Sequence, residues 1–516
     1  MDSQSFWNHA AERPEHVAVI DPEGVETTAG ELLASANQIV HGLRGLGFVP
    51  GDCIAMMLPN SLEVYEVFMA VAQAGWRVTP VNWHLTPPEV SYILQDSGSK
   101  ALIASERFAD VAVSAADDAG LGAEGRISVG DIAGFRSLSS FKADQPTTTP
   151  DDRSAGSPMT YTSGTTGNPK GVRRPAAKAD ADVMANQQAM FLALFGMLPG
   201  QPGVHLVGSP TYHTAVLNFS TNHLHLGHTV VLMDRWTPED MLELIEKHGV
   251  TNSHMVPTQL TRLLKLPKEV RDRHDLSSLS HMIHSAAPCP VDIKAQMLEW
   301  WGPCIYEYYA ASEGGGTLAT PQDWLAKPGT VGKAWPISEI RILDDDNQPV
   351  APNEPGTIWI RMGDHRFEYH DNQKKTDEAW NEGFFTVGDV GCLDEDGFLF
   401  MRDRKQDMII SGGVNIYPAE IESVFVLHPK VADVAVFGIP NEDWGEEVKA
   451  VIEPVDGVEP DEALAQELSA FAAERVAKYK MPRSIDFTDE LPRDPNGKLY
   501  KRKLRDPYWE GRSAAI

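Results

Sequence analysis

Tyr161-Thr-Ser-Gly-Thr-Thr-Gly-Asn-Pro-Lys170-Gly171 is the stretch on which the reading of this chain turns. Ser163, Gly164, Thr165, Thr166 and Gly167 are small enough to let the backbone come close to a ligand. Their amides and hydroxyls can converge on phosphate oxygens, and Lys170 adds a positive charge. The spacing is not that of a Walker A loop, G-x-x-x-x-G-K-[ST], because Gly164 and Gly167 are only three apart and Lys170 follows three later. By itself the stretch reads equally as a phosphate cradle or as a Gly/Thr-rich surface turn.

The flanking sequence alternates helix and strand signals. Before the loop, Thr28 with Glu31 forms a capping-box pattern, and Leu32, Ala36, Ile39, Val40, Leu43 and Leu46 recur at helical spacing up to Gly47. Cys53–Leu58 is a continuous apolar run of the kind covered on both faces. Asn60 with Glu63 predicts the next helix, closing near Gly75, and Arg77–Val81 the next strand. This order implies parallel strands with right-handed crossovers. The pattern returns after the loop with a strand at Gly203–Gly208, a helix started by Thr237-Pro238 and stopped by Gly249, and a strand at Val250–Val256. The Ala/Asp-rich stretch 111–123 and the polar stretch 147–152 read as surface loops, and no internal repeat is visible.

From about 330 to 402 the character changes. Ile340–Leu343, Gly356–Arg361 and Phe398–Met401 are short β-type runs between Gly, Pro and Asp turns, which suggests a small antiparallel, barrel-like sheet. A further unit follows: a helix at Pro418–Val424, strands at Val431–Phe437 and Glu447–Pro454, a helix at Asp461–Val476, a strand at Ser484–Thr488 and a basic tail. The predicted class is therefore α/β. A large N-terminal domain of parallel-type αβ sheets plus a barrel-like sheet covers residues 1–403, and a separate small mobile α+β domain covers 404–516.

Composition sets the outer limits. The chain has 516 residues, 42% of them apolar and 23% charged, as in an ordinary globular protein of several structural units. A net charge of −29 argues against a nucleic-acid or anionic-membrane surface, though not against a small anion held by a local cluster of donors. The four cysteines form no C-x-x-C pair, so neither a zinc site nor a disulfide framework is expected. The first sixteen residues lack the charged and apolar regions of a signal peptide. The most apolar run, Met190–Leu198, is far short of the about 20 residues a membrane span needs. A cytoplasmic location is the expectation.

Four later motifs supply the context that the loop alone lacks. Tyr309-Ala-Ala-Ser312-Glu313 resembles Y-G-x-[ST]-E, and Gly383-Phe-Phe-Thr-Val-Gly388-Asp389 resembles G-W-F-x-T-G-D. Asp403-Arg404-Lys-Gln406 through Glu422 is similar to an interdomain motif, and Pro492 through Gly497-Lys498 to a closing P-x-x-x-x-G-K. With the loop at 161–171, the five resemble in order those of the adenylate-forming superfamily of acyl-CoA synthetases, amino-acid adenylation domains and beetle luciferases.

That resemblance implies roles. Ser163, Gly164, Thr165, Thr166, Gly167 and Lys170 would cradle ATP phosphates. Glu313, with Thr162 as a second oxygen, would bind Mg²⁺. Tyr309 would stack on adenine and Ser312 would bond near the α-phosphate. Ala286, Ala287, Glu307 and Tyr308 would complete the nucleotide site, Asp389 would accept from ribose, and Arg404 would reach ribose or phosphate. Lys498 would bridge the acid and the α-phosphate in the first half-reaction, then leave as the C-terminal domain turns about Gln406. Residues 475–505 hold ten Lys/Arg against four Asp/Glu, so positive charge is concentrated there despite the acidic whole. Taken singly, Tyr308 and Tyr309 read more simply as packing, Asp389 as a turn residue, and Arg404 and Lys498 as solvated charges.

The implied substrates are ATP, coenzyme A and a small-molecule carboxylic acid, and a homodimer is among the assemblies expected. Pro210-Thr-Tyr212-His213 resembles the P-x-x-H segment beside the acyl pocket, with Val216 and Leu217 as apolar lining. Pro210–Leu217 contains no acidic residue, which disfavours an amino-acid substrate. The run Trp300-Trp301 to Gly316 looks most like bacterial ligases for fatty acids and for bulky relatives such as steroid or bile acids. An aromatic acid, a carrier-protein acceptor or a non-catalytic nucleotide-binding relative are the alternatives. Ala310, Val387 and Gln406 depart from the motif pattern.

Overall fold

The computed structural model describes residues 5–162, 170–173, 179–311, 313–364, 366–370, 372–493 and 499–510. Helix Ala29–Gly45 starts on Thr28, whose side chain accepts from the Glu31 amide while Glu31 bonds back to the Thr28 amide. Its stripe Leu32, Ala36, Ile39, Val40 and Leu43 is fully buried. It packs with helix Leu62–Ala74 between two sheets: the shared core holds Ile54, Ile103 and Ile127 of one and Val19, Val207 and Leu232 of the other.

The first sheet is wholly parallel, in the order 136–137, 126–129, 99–105, 53–57, 77–80, 157–158. Cys53–Met57, at its centre, is buried throughout, as its unbroken apolar run predicts. The second has nine strands. Its central six, Ile305–Ala311, His281–His284, Asn252–Met255, Val204–Val207, Thr229–Leu232 and Val17–Ile20, are parallel, and antiparallel strands close both edges. Helices 238–248, 257–264 and 291–301 contribute to a second core that includes Leu206, Met255, Met282 and Ile305. In a sheet of this kind ligands meet the carboxyl ends of the strands, where Ser209, His254, Ser285 and Tyr309 lie.

Strands 338–343, 356–362, 380–381, 384–385, 389–393 and 399–404 form the expected small antiparallel sheet. Residues 409–487 build a further sheet, in which 445–454 pairs antiparallel with 431–441 and parallel with 484–487. It has its own core around Ile421, Phe425, Val436 and Leu468. Lys265 Nζ reaches across to it, donating to the Val431 carbonyl at 2.6 Å.

Two expectations are corrected. The Ala/Asp-rich stretch is not a loop: Ala109–Asp118 is a helix whose Ala112, Ala115 and Ala116 are buried. Alanine is the best helix former, and its small side chain permits close packing. Nor does Asn60 cap the next helix, which starts after Ser61. Its side chain donates to the Ser209 and Met233 carbonyls and accepts from the Thr211 amide, so it fastens the segment that leads to His213.

Candidate active site

Strand Ile305–Ala311 carries Tyr309 to the carboxyl edge of the nine-stranded sheet. The Tyr309 hydroxyl donates to Asp389 Oδ2 at 2.8 Å, and Arg404 Nε lies 3.4 Å from Asp389 Oδ1. Asp389 and Arg404 face each other across two antiparallel strands, so backbone pairing sets their distance. Burial, and then the neighbouring Asp389 charge, hold the Tyr309 phenol well above its ordinary pKa, so it is a donor near neutrality. The structure thus joins three of the motif residues through side-chain contacts.

Glu313 follows the same strand, and its Oε1 accepts from the Tyr369 hydroxyl at 2.8 Å. Thr162 and Lys170, which flank the Gly/Thr-rich stretch, are paired across two antiparallel strands. The loop residues Ser163, Gly164, Thr165, Thr166 and Gly167, together with Ser312 and Lys498, lie outside the described residues, as do the Thr162 and Lys170 side chains. Among the described residues no group of three or more His, Cys, Asp or Glu side chains could hold a metal. A lone Glu313 carboxylate that shares an ion with substrate phosphates suits Mg²⁺, which commonly binds through one or two carboxylates and phosphate oxygens.

Glu307 and Tyr308, expected beside the nucleotide, have their side chains engaged elsewhere. Glu307 Oε2 is 2.7 Å from Lys294 Nζ and 3.5 Å from His284 Nε2, and all three groups are buried. Tyr308 hydrogen-bonds His254 Nε2 at 3.0 Å, and its ring packs among Phe191, Phe195 and Phe219. Burial, and then the neighbouring His205, drive His254 to a pKa of about 3, so the imidazole is neutral. Ser285, also bonded to His254 at 3.2 Å, leads into Ala286-Ala287. Ala286 has φ 76, in the left-handed region, where a Cβ is strained.

His213 caps the N-terminus of helix Thr214–His225, its ring 4.3 Å from that of Tyr212. Val216 and Leu217, expected as acyl lining, are instead buried in the core shared by the two parallel sheets. Phe219, one turn on, joins the aromatic cluster with Phe191, Tyr308 and Trp335. Gln406 is exposed in the turn between strands 399–404 and 409–411, and its carbonyl accepts from Arg505. Sequence reasoning missed Tyr369, Lys294 and His254. None lies in a motif: Lys294 comes from helix 291–301, His254 from strand 252–255 and Tyr369 from strand 368–369, and only the tertiary packing brings them together.

The "AMP-binding enzyme" family model matches residues 6–366, and the "AMP-binding enzyme C-terminal domain" model matches residues 420–498. A fatty acid–[acyl-carrier-protein] ligase of Streptomyces coeruleorubidus is 32% identical, over 97% of this chain and 95% of its own. A 2-succinylbenzoate–CoA ligase of Geobacillus kaustophilus is 33% identical, over 95% of each. The crystal structure of an anthranilate CoA ligase in complex with anthranoyl-AMP superposes with TM-score 0.85 at 25% identity, covering 98% of this chain and 97% of that one. The chain belongs to the AMP-binding enzyme family. It is an adenylate-forming ligase of the acyl- and aryl-CoA ligase type. No helix among the described residues is long and apolar enough to cross a membrane.

Proposed function

We propose that this enzyme is an ATP-dependent acyl-CoA ligase for a hydrophobic carboxylic acid, of the fatty-acid or bulky-ring kind. In the first half-reaction a carboxylate oxygen attacks the α-phosphorus of ATP, the bond to pyrophosphate breaks, and an acyl-adenylate forms. In the second the coenzyme A thiolate attacks the acyl carbon and AMP leaves with its oxygen.

Tyr309 packs on adenine. Asp389, already oriented by Tyr309 and Arg404, accepts from the ribose hydroxyls. Ser163 to Gly167 and Lys170 hold the phosphates. Lys498 neutralises charge as two anions approach, the step at which fixed positive charge is most effective. Mg²⁺ on Glu313 and Thr162 would supply further charge neutralisation at the phosphates. Residues 1–403 form the nucleotide-binding domain, and residues 404–516 a domain that turns about Gln406 between half-reactions. Enclosure of the adenylate limits its hydrolysis.

The observation that carries this reading is the Tyr309–Asp389–Arg404 contact at the carboxyl edge of the parallel sheet. An aromatic acid is a second reading, favoured by the aromatic cluster of Phe191, Phe219, Tyr308 and Trp335, which the helix after His213 joins through Phe219. The test is pyrophosphate release with octanoate, palmitate, benzoate, cinnamate and cholate, followed by mass spectrometry of the coenzyme A product. One or more of these acids should yield the thioester. A thioester from none of them, with ATP still bound, would point to a non-catalytic relative.

A further inference from the structure

Tyr369 occupies the two-residue strand Glu368–Tyr369, outside every motif described above. That strand pairs with Lys170–Arg173, which returns from the Gly/Thr-rich loop: Tyr369 stands opposite Val172, and the next amide, of His370, donates to the Gly171 carbonyl at 3.0 Å. The Tyr369 amide donates to Thr376 Oγ1 at 3.0 Å, and the ring meets Phe367 edge-on at 5.2 Å. Backbone and ring are therefore both fixed, and the hydroxyl of this fixed residue lies 2.8 Å from Glu313 Oε1.

Glu313 sits just beyond strand Ile305–Ala311, which belongs to a different sheet from Tyr369. The Tyr369–Glu313 bond thus links the strand leaving the phosphate loop to the segment bearing the carboxylate. A carboxylate free to rotate presents either oxygen in many directions. When one oxygen accepts from an immobile phenol, the other is left for an ion in a restricted direction. Partners that orient metal ligands in this way commonly contribute 10- to 100-fold in metal affinity.

We propose that Tyr369 is a positioning residue. It holds the Glu313 carboxylate by Oε1, leaves Oε2 for the divalent ion, and ties the metal site to the strand that carries the phosphate loop. This rests on the assignment of Glu313 as the metal ligand. Tyr369 touches neither the acid nor the transferred group, and it donates a hydrogen bond without giving up a proton.

The test compares the full-length wild type with Tyr369→Phe, Glu313→Gln and the double variant. Mn²⁺ affinity is read by electron paramagnetic resonance in the presence of α,β-methylene-ATP, alongside binding of the nucleotide without metal. Tyr369→Phe should weaken Mn²⁺ by roughly 10- to 100-fold and leave metal-free nucleotide binding unchanged. The double variant should be no weaker than Glu313→Gln alone, because both act through one contact. Wild-type Mn²⁺ affinity in Tyr369→Phe, equal weakening of metal and metal-free nucleotide, or additive losses would overturn the proposal alone. A wild type that fails to bind Mn²⁺ with the nucleotide overturns the Glu313 assignment as well. If Tyr369→Phe does not fold, Thr376→Val removes the acceptor of the Tyr369 amide and should weaken Mn²⁺ by about 2- to 10-fold. Unchanged affinity there counts against the proposal.

Discussion

The hydroxyl of Tyr309 and the carboxylate of Asp389 meet at 2.8 Å across 80 residues of sequence, and Arg404 Nε approaches the second oxygen at 3.4 Å. The acceptor proposed for ribose is thus aimed before any ligand arrives, which lowers the ordering cost of binding. Asp389→Asn removes the charge but keeps the shape. Loss of a charge-assisted bond of about 1.5–3 kcal/mol should raise KM for ATP roughly 10- to 100-fold and leave KM for the acid near wild type. Initial rates with each substrate varied decide this, and an equal rise in both KM values would refute it.

Lys294 and Glu307 form a buried ion pair. Burial raises the Glu307 carboxyl and the Lys294 charge pulls it back. Lys294→Met strands a carboxylate without its cation, which should destabilise by about 3–5 kcal/mol, whereas Lys294→Met with Glu307→Leu should recover most of the loss. Chemical denaturation of the two variants beside wild type is the measurement. A single variant as stable as wild type would show that the pair does not matter.

Five buried histidines give the protein an acid limit. His205, His225, His228 and His254 fall to about 4, 3, 4 and 3, chiefly through burial, and His223 lies well below its ordinary value. His205 and His223 stack at 4.2 Å, and His223 Nδ1 meets His228 Nδ1 at 2.9 Å, which leaves little room for charge. Their folded values are depressed, so the unfolded chain binds more protons below about pH 6.5. Their stability is fully present above that pH and is lost as pH falls toward 4. Each contributes a slope approaching ~1.4 kcal/mol per pH unit. Melting midpoints at pH 7.5, 6.5 and 5.5 should fall increasingly fast, whereas a flat profile would contradict the neutral cluster.

Ala286, with φ 76, holds a strained left-handed backbone just after strand His281–His284. Ala286→Gly relieves the Cβ clash, though a gain in unfolded-chain entropy offsets part of the benefit. A net stabilisation of about 0.5–1 kcal/mol is expected. A lower melting midpoint would mean that the alanine methyl is needed for packing.

Much of the fold could be read from local pattern. The Thr28–Glu31 cap, the Cys53–Leu58 apolar run and the Thr237-Pro238 start with its Gly249 stop depend only on neighbours in sequence, and each predicts an element seen in the structure. The failures arise where distant contacts decide. Asn60 is drawn from capping to the loop before His213, and Val216 and Leu217 face the core between two sheets. The motif order brought Tyr309, Asp389 and Arg404 within reach of prediction. It could not reveal that Glu307 is claimed by Lys294, Tyr308 by His254 and Glu313 by Tyr369, because each of those contacts joins residues of separate elements that only the tertiary packing brings together.

Acid-dependent exchange of labelled pyrophosphate into ATP tests the central claim most directly, since it requires reversible acyl-adenylate formation and no second half-reaction. The account predicts exchange with at least one hydrophobic or ring-bearing acid, abolished in Glu313→Gln and cut by roughly 10²- to 10³-fold in Lys498→Ala, the scale of removing a group that stabilises transition-state charge. Binding of ATP with no exchange for any such acid, or full exchange in Lys498→Ala, would contradict it.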